Sequence, residues 1–584
     1  MITRRNLLKG GLVAAGAAAV SPYVNFSRVF AQTLVAQTPL PGSAIPQWLD
    51  PLPLLSLAGG PMETVVAGAD EIELAMREFR STVMPSTFVP ATGTYAGTWV
   101  WGYRAGVTGT DPAGTYIGPV VVASRGTPTQ IRWVNELPES PSDVVAYWAG
   151  TDQTLHWADP LNGGANHCAH EIVPGQPATG TCAAHYEGPV PTVPHLHGGE
   201  VPPVLDGGPD AWFTSDGNYH GHAYYSGLGG AANEAVYRYP NSQEAAPTWF
   251  HDHTLGVTRL GVYAGLAGAH PIIDPSLSLP TGLHPVGLQQ GASGPVDFLI
   301  PLVLQDRSFD TNGQLLFDNA GINPEHPFWV PELVGDVIVV NGKVWPFLNV
   351  EPRRYRFLFI NGSNARAYEM FFTNSVTKVN GPPIWQIATD GGYLDRPVRI
   401  DPGAPKGQMQ RLLLQPGERA DVIVDFSRSA GQTLILRNIG RHPFPNGTPP
   451  QASTVGRVLQ VRVGPGPVSD ASYDPASGIP LRPAMVRLVN PATGTLTVTA
   501  AKTRELTLNE IIGAGGPLEL LVNNTKWDGL RADRSVRADF EPVTAGGVTE
   551  YFSELPAEGD TELWEIVNLT ADAHPIHTHL TQCQ

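Results

Sequence analysis

Apolar and polar positions alternate along this chain in short runs bounded by Gly and Pro, the pattern of strands whose side chains point to opposite faces in turn. Ile72, Leu74 and Met76 alternate with Glu73, Ala75 and Arg77, which predicts a half-buried strand and places the start of regular structure near Glu71. Gly118-Pro119-Val120-Val121-Val122 and Gln130-Ile131-Arg132-Trp133-Val134-Asn135 predict two more strands in a series that runs to about Asp274. After a linker rich in Pro, Gly and Ser (Pro275 to Pro295), a second series opens at Phe298-Leu299-Ile300-Pro301-Leu302-Val303-Leu304. It includes Arg354-Tyr355-Arg356-Phe357-Leu358-Phe359-Ile360 and closes near Val458-Leu459-Gln460-Val461-Arg462-Val463. A third starts around Arg504 and reaches Glu562-Leu563-Trp564-Glu565-Ile566-Val567-Asn568. Three such series imply an all-β protein of three Greek-key β-sandwich domains, over residues 61–275, 295–465 and 475–584.

Composition agrees. At 584 residues the chain is too long for one core, and with 15% charged residues, 64 Gly and 56 Pro it is turn-rich rather than helical. The formal net charge of −17 argues against nucleic acid or an anionic membrane surface as partner, since both need a basic patch. The N-terminus reads Thr3-Arg4-Arg5-Asn6-Leu7-Leu8-Lys9, then an apolar run from Gly10 to Val20 and a small-residue cleavage site at Val29-Phe30-Ala31. Residues 1–31 are therefore expected to be a twin-arginine export signal, sending the protein to the periplasm, cell surface or medium, with no membrane span once it is removed. Residues 32–60, with Pro39, Pro41, Pro46, Pro51 and Pro53, read as an extended lead-in wrapped on or trailing from the first domain. Cys168 and Cys182 share one polar loop. In an exported protein they form a disulfide or, with His167, His170 and His185 beside them, an accessory metal site.

Candidate chemistry lies in histidine. Seven of the seventeen histidines fall in three blocks: Pro194-His195-Leu196-His197-Gly198-Gly199, Trp249-Phe250-His251-Asp252-His253, and His574-Pro575-Ile576-His577-Thr578-His579. Each block carries a His-x-His pair, and on a strand both members of a pair project from one face toward one site. His574, three residues before His577, would face a second site. His220-Gly221-His222, in a Gly- and Tyr-rich stretch, reads as a chance pair. Imidazole suits zinc, copper, iron and nickel, so the pairs alone do not choose the metal. No His-Glu-x-x-His helix or paired Cys-x-x-Cys favours zinc.

Three stretches resemble three of the four copper-binding motifs of the multicopper oxidases: Pro194 to Gly199, Trp249 to Asp274 (WFHDHTLGVTRLGVYAGLAGAHPIID) and His574 to Leu580. Trp101-Gly102-Tyr103 and Asn341 to Asn364 (NGKVWPFLNVEPRRYRFLFINGSN) extend the likeness. It is greatest to the branch of bacterial spore-coat laccases, bilirubin oxidases and phenoxazinone synthases. The resemblance implies cupredoxin domains and four copper ions. It assigns His195 and His577 to the type 2 copper, His197, His251, His253 and His579 to the type 3 pair, and His574 to the type 1 copper. Asp206, nine residues after His197, matches an acidic position able to relay protons, or else is a turn-forming Asp before Gly207-Gly208. Asp252 and Arg259 are expected to be structural, or to orient ligands, rather than to bind metal.

The fourth motif, a His-Cys-His-x-x-x-His run followed by Met, is not found before Gln584. Blue copper needs a thiolate with two imidazoles. Cys583 lacks flanking histidines, so the expectation is a truncated record with an incomplete third sandwich, inactive as it stands. Two functions compete. One is a laccase-like oxidase that couples one-electron oxidation of phenols, aromatic amines, bilins or metal ions to reduction of dioxygen to water. The other is a copper-free exported cupredoxin scaffold of the cell-division type. Retention of all seven expected histidines favours the oxidase.

Overall fold

The computed structural model describes residues 36–56, 62–106, 114–162, 167–274, 290–291, 294–295, 298–531, 533–581 and 583. The expected export signal and most of the Pro275 to Pro295 linker lie outside the described residues. The first strand series is built on β1 (Ile72–Ser81), β2 (Thr98–Ala105), β3 (Val120–Ser124), β4 (Thr129–Asn135), β5 (Pro194–His197), β6 (Glu234–Tyr239), β7 (Pro247–Asp252) and β8 (Ala267–Ile273), with a short helix α1 (Thr258–Ala264) before β8. They form two sheets. One has the order β6-β4-β1-β2, and the other runs from Leu55–Ser56 and Met62–Val66 through β3, β8 and β7 to β5. Trp101, Tyr103, Trp133 and Phe250, each at most 3% exposed, fill the core. The half-buried pattern expected for β1 is only partly realised. Ala75 is as fully buried as Leu74 and Met76, because a methyl group fits under a covered face that a larger polar side chain would hold open.

The second series centres on β9 (Leu299–Asp310), β10 (Arg354–Asn361) and β11 (Arg419–Asp425), with β9 parallel and β11 antiparallel to β10. These strands belong to a nine-stranded sheet, beside a five-stranded one. The lead-in touches both series. Pro39 and Leu40 pair with Asp310 and Phe309 of β9, and the amides of Trp48 and Leu52 donate to the carbonyls of Trp345 and Phe347, while Leu55 and Ser56 pair with Met62 and Glu63 in the sheet of the first series. The end of β9 offers unpaired backbone groups, and an extended Pro-rich segment is shaped to meet them.

In the third series β12 (Lys502–Ile512) lies between β13 (Pro517–Val522) and, beyond the hairpin β14 (Glu541–Ala545) and β15 (Val548–Phe552), the parallel strand β16 (Glu562–Asn568). Trp564, Ile566 and Val567 of β16 are each more than a third exposed. Among the described residues, no helix is long and apolar enough to cross a membrane.

Candidate metal centre

Register places the first two histidine blocks. β5 and β7 are antiparallel neighbours in which His195 faces His251 and His197 faces Trp249. Directly opposite residues share a face, and so do residues two apart, so His195, His197, His251 and Trp249 all project to one side of the sheet. The intervening residues project to the other side. There Phe250 packs edge-on against Tyr103, with centroids 4.9 Å apart, and lies 5.3 Å from Trp133. It also lies over Gly268 of β8, where any Cβ would collide with its ring. Just past the end of β7, His253 donates its amide to the Val193 carbonyl and brings its ring to 4.9 Å from that of His195.

The last block joins them from the third series. His577 stacks on His197 at 3.8 Å and His579 on His195 at 4.2 Å. Contrary to expectation, the segment after β16 is not a strand: residues 569–584 contain no described β pairing. The two histidines are brought to the site by docking rather than by a ladder. Six rings thus converge, and ligand atoms lie within 4.8 Å of one another in two triads, His195-His197-His577 and His195-His253-His579. His574 is in neither triad. Its Nε2 lies 2.7 Å from Thr570 Oγ1 and 3.5 Å from Asp572.

Hydrogen bonds set the tautomers. His195 Nδ1–H donates to the Asp206 carbonyl at 2.7 Å and His251 Nδ1–H to the Asp252 carbonyl at 2.7 Å, while His579 Nδ1–H donates to Asp206 Oδ2 at 2.6 Å. Each such bond leaves Nε2 as the lone-pair nitrogen. Burial holds His195 and His197 well below the usual imidazole range and pushes His251 and His253 down to about 3, so the rings are kept in the neutral, metal-binding form. The buried His195 Nε2 and His253 Nδ1 find no protein partner. Neutral imidazoles converging with unsatisfied nitrogens fit a copper site and would otherwise cost free energy.

Asp206, 4% exposed, holds one histidine from each side, His195 through its carbonyl and His579 through its carboxylate. It also sits in a turn as expected: Gly207 follows with φ +71°, and a Cβ there would collide with the Pro194 carbonyl. Asp252 is tied to backbone and hydroxyls. Its Oδ1 accepts from Thr254 Oγ1 at 2.7 Å, Thr192 Oγ1 at 3.0 Å and the Val193 amide at 3.2 Å, and burial raises its carboxyl to about 6. Helix α1 presses on it at Gly261, where a Cβ would collide with Oδ2. Of the two roles expected for it, Arg259 takes the structural one. It donates to the Gly150 carbonyl at 2.8 Å and lies 5.5 Å from the Phe317 ring.

One contributor escaped the sequence reading. Arg419, at the head of β11 in the series that carries no histidine block, is 3% exposed, donates to the Pro247 carbonyl at 3.1 Å and pairs with Asp390 at 2.8 Å. It abuts Gly198, and its charge helps to hold His197 neutral. The signal was the turn Pro416-Gly417-Glu418-Arg419 leading into an apolar strand, which names a buried charge but not its target. Cys168 and Cys182 form a disulfide. The side chains of His167 and His170 lie outside the described residues.

No family profile matches the chain. It is 35% identical over 481 residues to multicopper oxidase LPR1 homolog 3 of Oryza sativa subsp. japonica, covering 80% of this chain and 74% of that protein. It is 34% identical over 484 residues to a laccase of Bacillus stratosphericus, with the same coverage of 80% and 74%. Among solved structures, the McoA multicopper oxidase of the hyperthermophile Aquifex aeolicus shares the fold at a TM-score of 0.54 and 20% identity, covering 91% of this chain and 84% of that one.

Proposed function

Since the chain belongs to the multicopper oxidase family, we propose that it works as a laccase-like oxidoreductase, with copper held by the six converging histidines and dioxygen as electron acceptor. Copper bound there would supply the one-electron steps that link a small reducing substrate to the four-electron reduction of dioxygen to water. The observation that carries this reading is the convergence of six imidazoles from two strand series on one site. In the finer assignment, His195 and His577 hold the type 2 copper, and His197, His251, His253 and His579 hold the type 3 pair. His574 holds the type 1 copper, whose thiolate ligand these residues do not include.

The chain's own residues act by position. β5 and β7 fix the rings of His195, His197 and His251 in register, His253 follows at the end of β7, and Asp206 ties the docked His579 to His195. The Asp206 carboxylate, in hydrogen-bond contact with a ring N–H at the site, is the group placed to hold or pass a proton. Phenols, aromatic amines, bilins or metal ions are the reductants. The N-terminal Arg4-Arg5 segment supports export by the twin-arginine route to the periplasm, cell surface or medium.

Copper content of this chain, and oxygen uptake with a phenolic reductant in a form extended through a His-Cys-His-x-x-x-His motif, each compared between the wild type and His195→Ala, test the reading. It predicts loss of both in the variant. Equal copper in the two proteins would refute the site, and a wild type that folds without binding copper would restore the scaffold reading.

A further inference from the structure

His220-Gly221-His222 looks like a chance pair, and the structure separates its members. His220 Nε2 donates to the Ala232 carbonyl at 2.7 Å and its ring lies 4.1 Å from that of Tyr224. His222 instead faces the joint between the first series and the β14–β15 hairpin. Its Nδ1 is 3.8 Å from Asp210 Oδ1 and its Nε2 is 3.7 Å from Glu550 Oε2 on β15. Both separations are too long for hydrogen bonds. Yet one ligand atom from each of the three residues lies within 4.8 Å of the other two, and all three side chains are half-buried. A tetrahedral zinc ion with bonds of about 2.1 Å spaces its ligand atoms about 3.4 Å apart, and it would take a single nitrogen of His222, so ligand atoms that lie within 4.8 Å of one another must close by up to about 1.4 Å.

The surroundings hold this arrangement. Trp527 Nε1 donates to Asp210 Oδ2 at 2.7 Å, which leaves Oδ1 toward His222. The hairpin turn at Gly546 is seated against His222 itself, where a Cβ at Gly546 would crowd the His222 carbonyl. Two carboxylates face one imidazole, so a neutral ring leaves net negative charge between two elements that must stay together.

We propose that Asp210, His222 and Glu550 bind a divalent ion of the zinc class, in a centre separate from the six-histidine cluster, which fastens the β14–β15 hairpin to the first strand series. Water would complete the coordination. One imidazole and two carboxylates make a donor set that zinc accepts readily. Burial shifts the Asp210 carboxyl upward, and the Glu550 carboxylate shifts His222 upward, as expected where a cation is wanted and only a proton is at hand.

The test uses the full chain, stripped with a chelator, reloaded with Zn²⁺ and dialysed, with bound zinc counted by elemental analysis. His222→Ala and Glu550→Gln should each bind one equivalent less than wild type. The zinc-dependent rise in melting temperature should shrink in both, while melting in chelator stays the same. Equal zinc in all three proteins overturns the proposal. So does a wild-type melting curve that responds to pH but not to zinc, because protonated His222 would then be the fastener. If His222→Ala fails to fold, Glu550→Gln, on the hairpin surface, decides alone.

Discussion

The two sides of the histidine cluster are built differently. His195, His197 and His251 stand on paired strands, with Phe250 rooted in the core behind them. His577 and His579 come from a segment without β pairing, which meets the cluster through ring stacking and one bond to Asp206. The first side is set by sheet register and would persist without its partner. The second depends on docking, and so on a few contacts that single substitutions can remove. A site split in this way lets one rigid wall define the geometry while the other closes it.

The largest effect should come from removing the root of the rigid side. Phe250→Ala empties the space between Tyr103, Trp133 and Gly268, and should cost about 3–5 kcal/mol in denaturant unfolding and lower metal content at all six histidines. A loss below about 1 kcal/mol would show that the far face of β7 does not hold the site. Acid should act on the same side with the next largest effect. His251 is buried and its folded value lies below the ordinary imidazole value of about 6.5, so its contribution is complete above that pH and is lost as pH falls toward 3. In metal-free protein this amounts to about 2 kcal/mol by pH 5. His251→Gln should flatten that part of the pH profile, and an unchanged profile would mean the ring is not held neutral in the fold.

The docked side should fail separately. Asp206→Ala removes the carboxylate that holds His579 but leaves β5 and β7 intact, so copper affinity should fall by about 10–100-fold with little change in unfolding. Asp206→Asn keeps an acceptor oxygen for the His579 N–H and should recover most of that affinity while losing any proton relay. If Asn and Ala behave alike in copper binding, the anchor is not the bond described.

How much of this was legible follows from the range over which each feature is encoded. The His-x-His pairs of β5 and β7 announce their shared face within three residues, because a strand repeats every two. Asp206 was singled out by the family resemblance, although its hold on His579 could not be read locally. The last block was misread as a strand, because its alternating histidines mimic a ladder that the chain does not form. Arg419 reaches the cluster from a different strand series, and Glu550 of the third series meets His222 of the first. Contacts between distant residues leave no periodicity, so both were invisible and His222 passed for an accident. The lead-in's reach to β9 of the second series was missed for the same reason, since its Pro content specifies extension but not every edge it joins.

His574 gives the smallest and sharpest comparison, since it shares the docked segment but not the cluster. Its ring is engaged by Thr570 and Asp572 rather than by any of the six histidines. His574→Ala should therefore leave metal binding at the six-histidine site unchanged and alter unfolding by no more than about 0.5 kcal/mol, the range for half-exposed positions. His577→Ala, three residues on, removes the ring stacked on His197 and should lower metal content. If both variants lose metal equally, the segment docks as one unit and His574 positions it. If only His577→Ala does, the docked side is held residue by residue, and His574 is left for a separate centre.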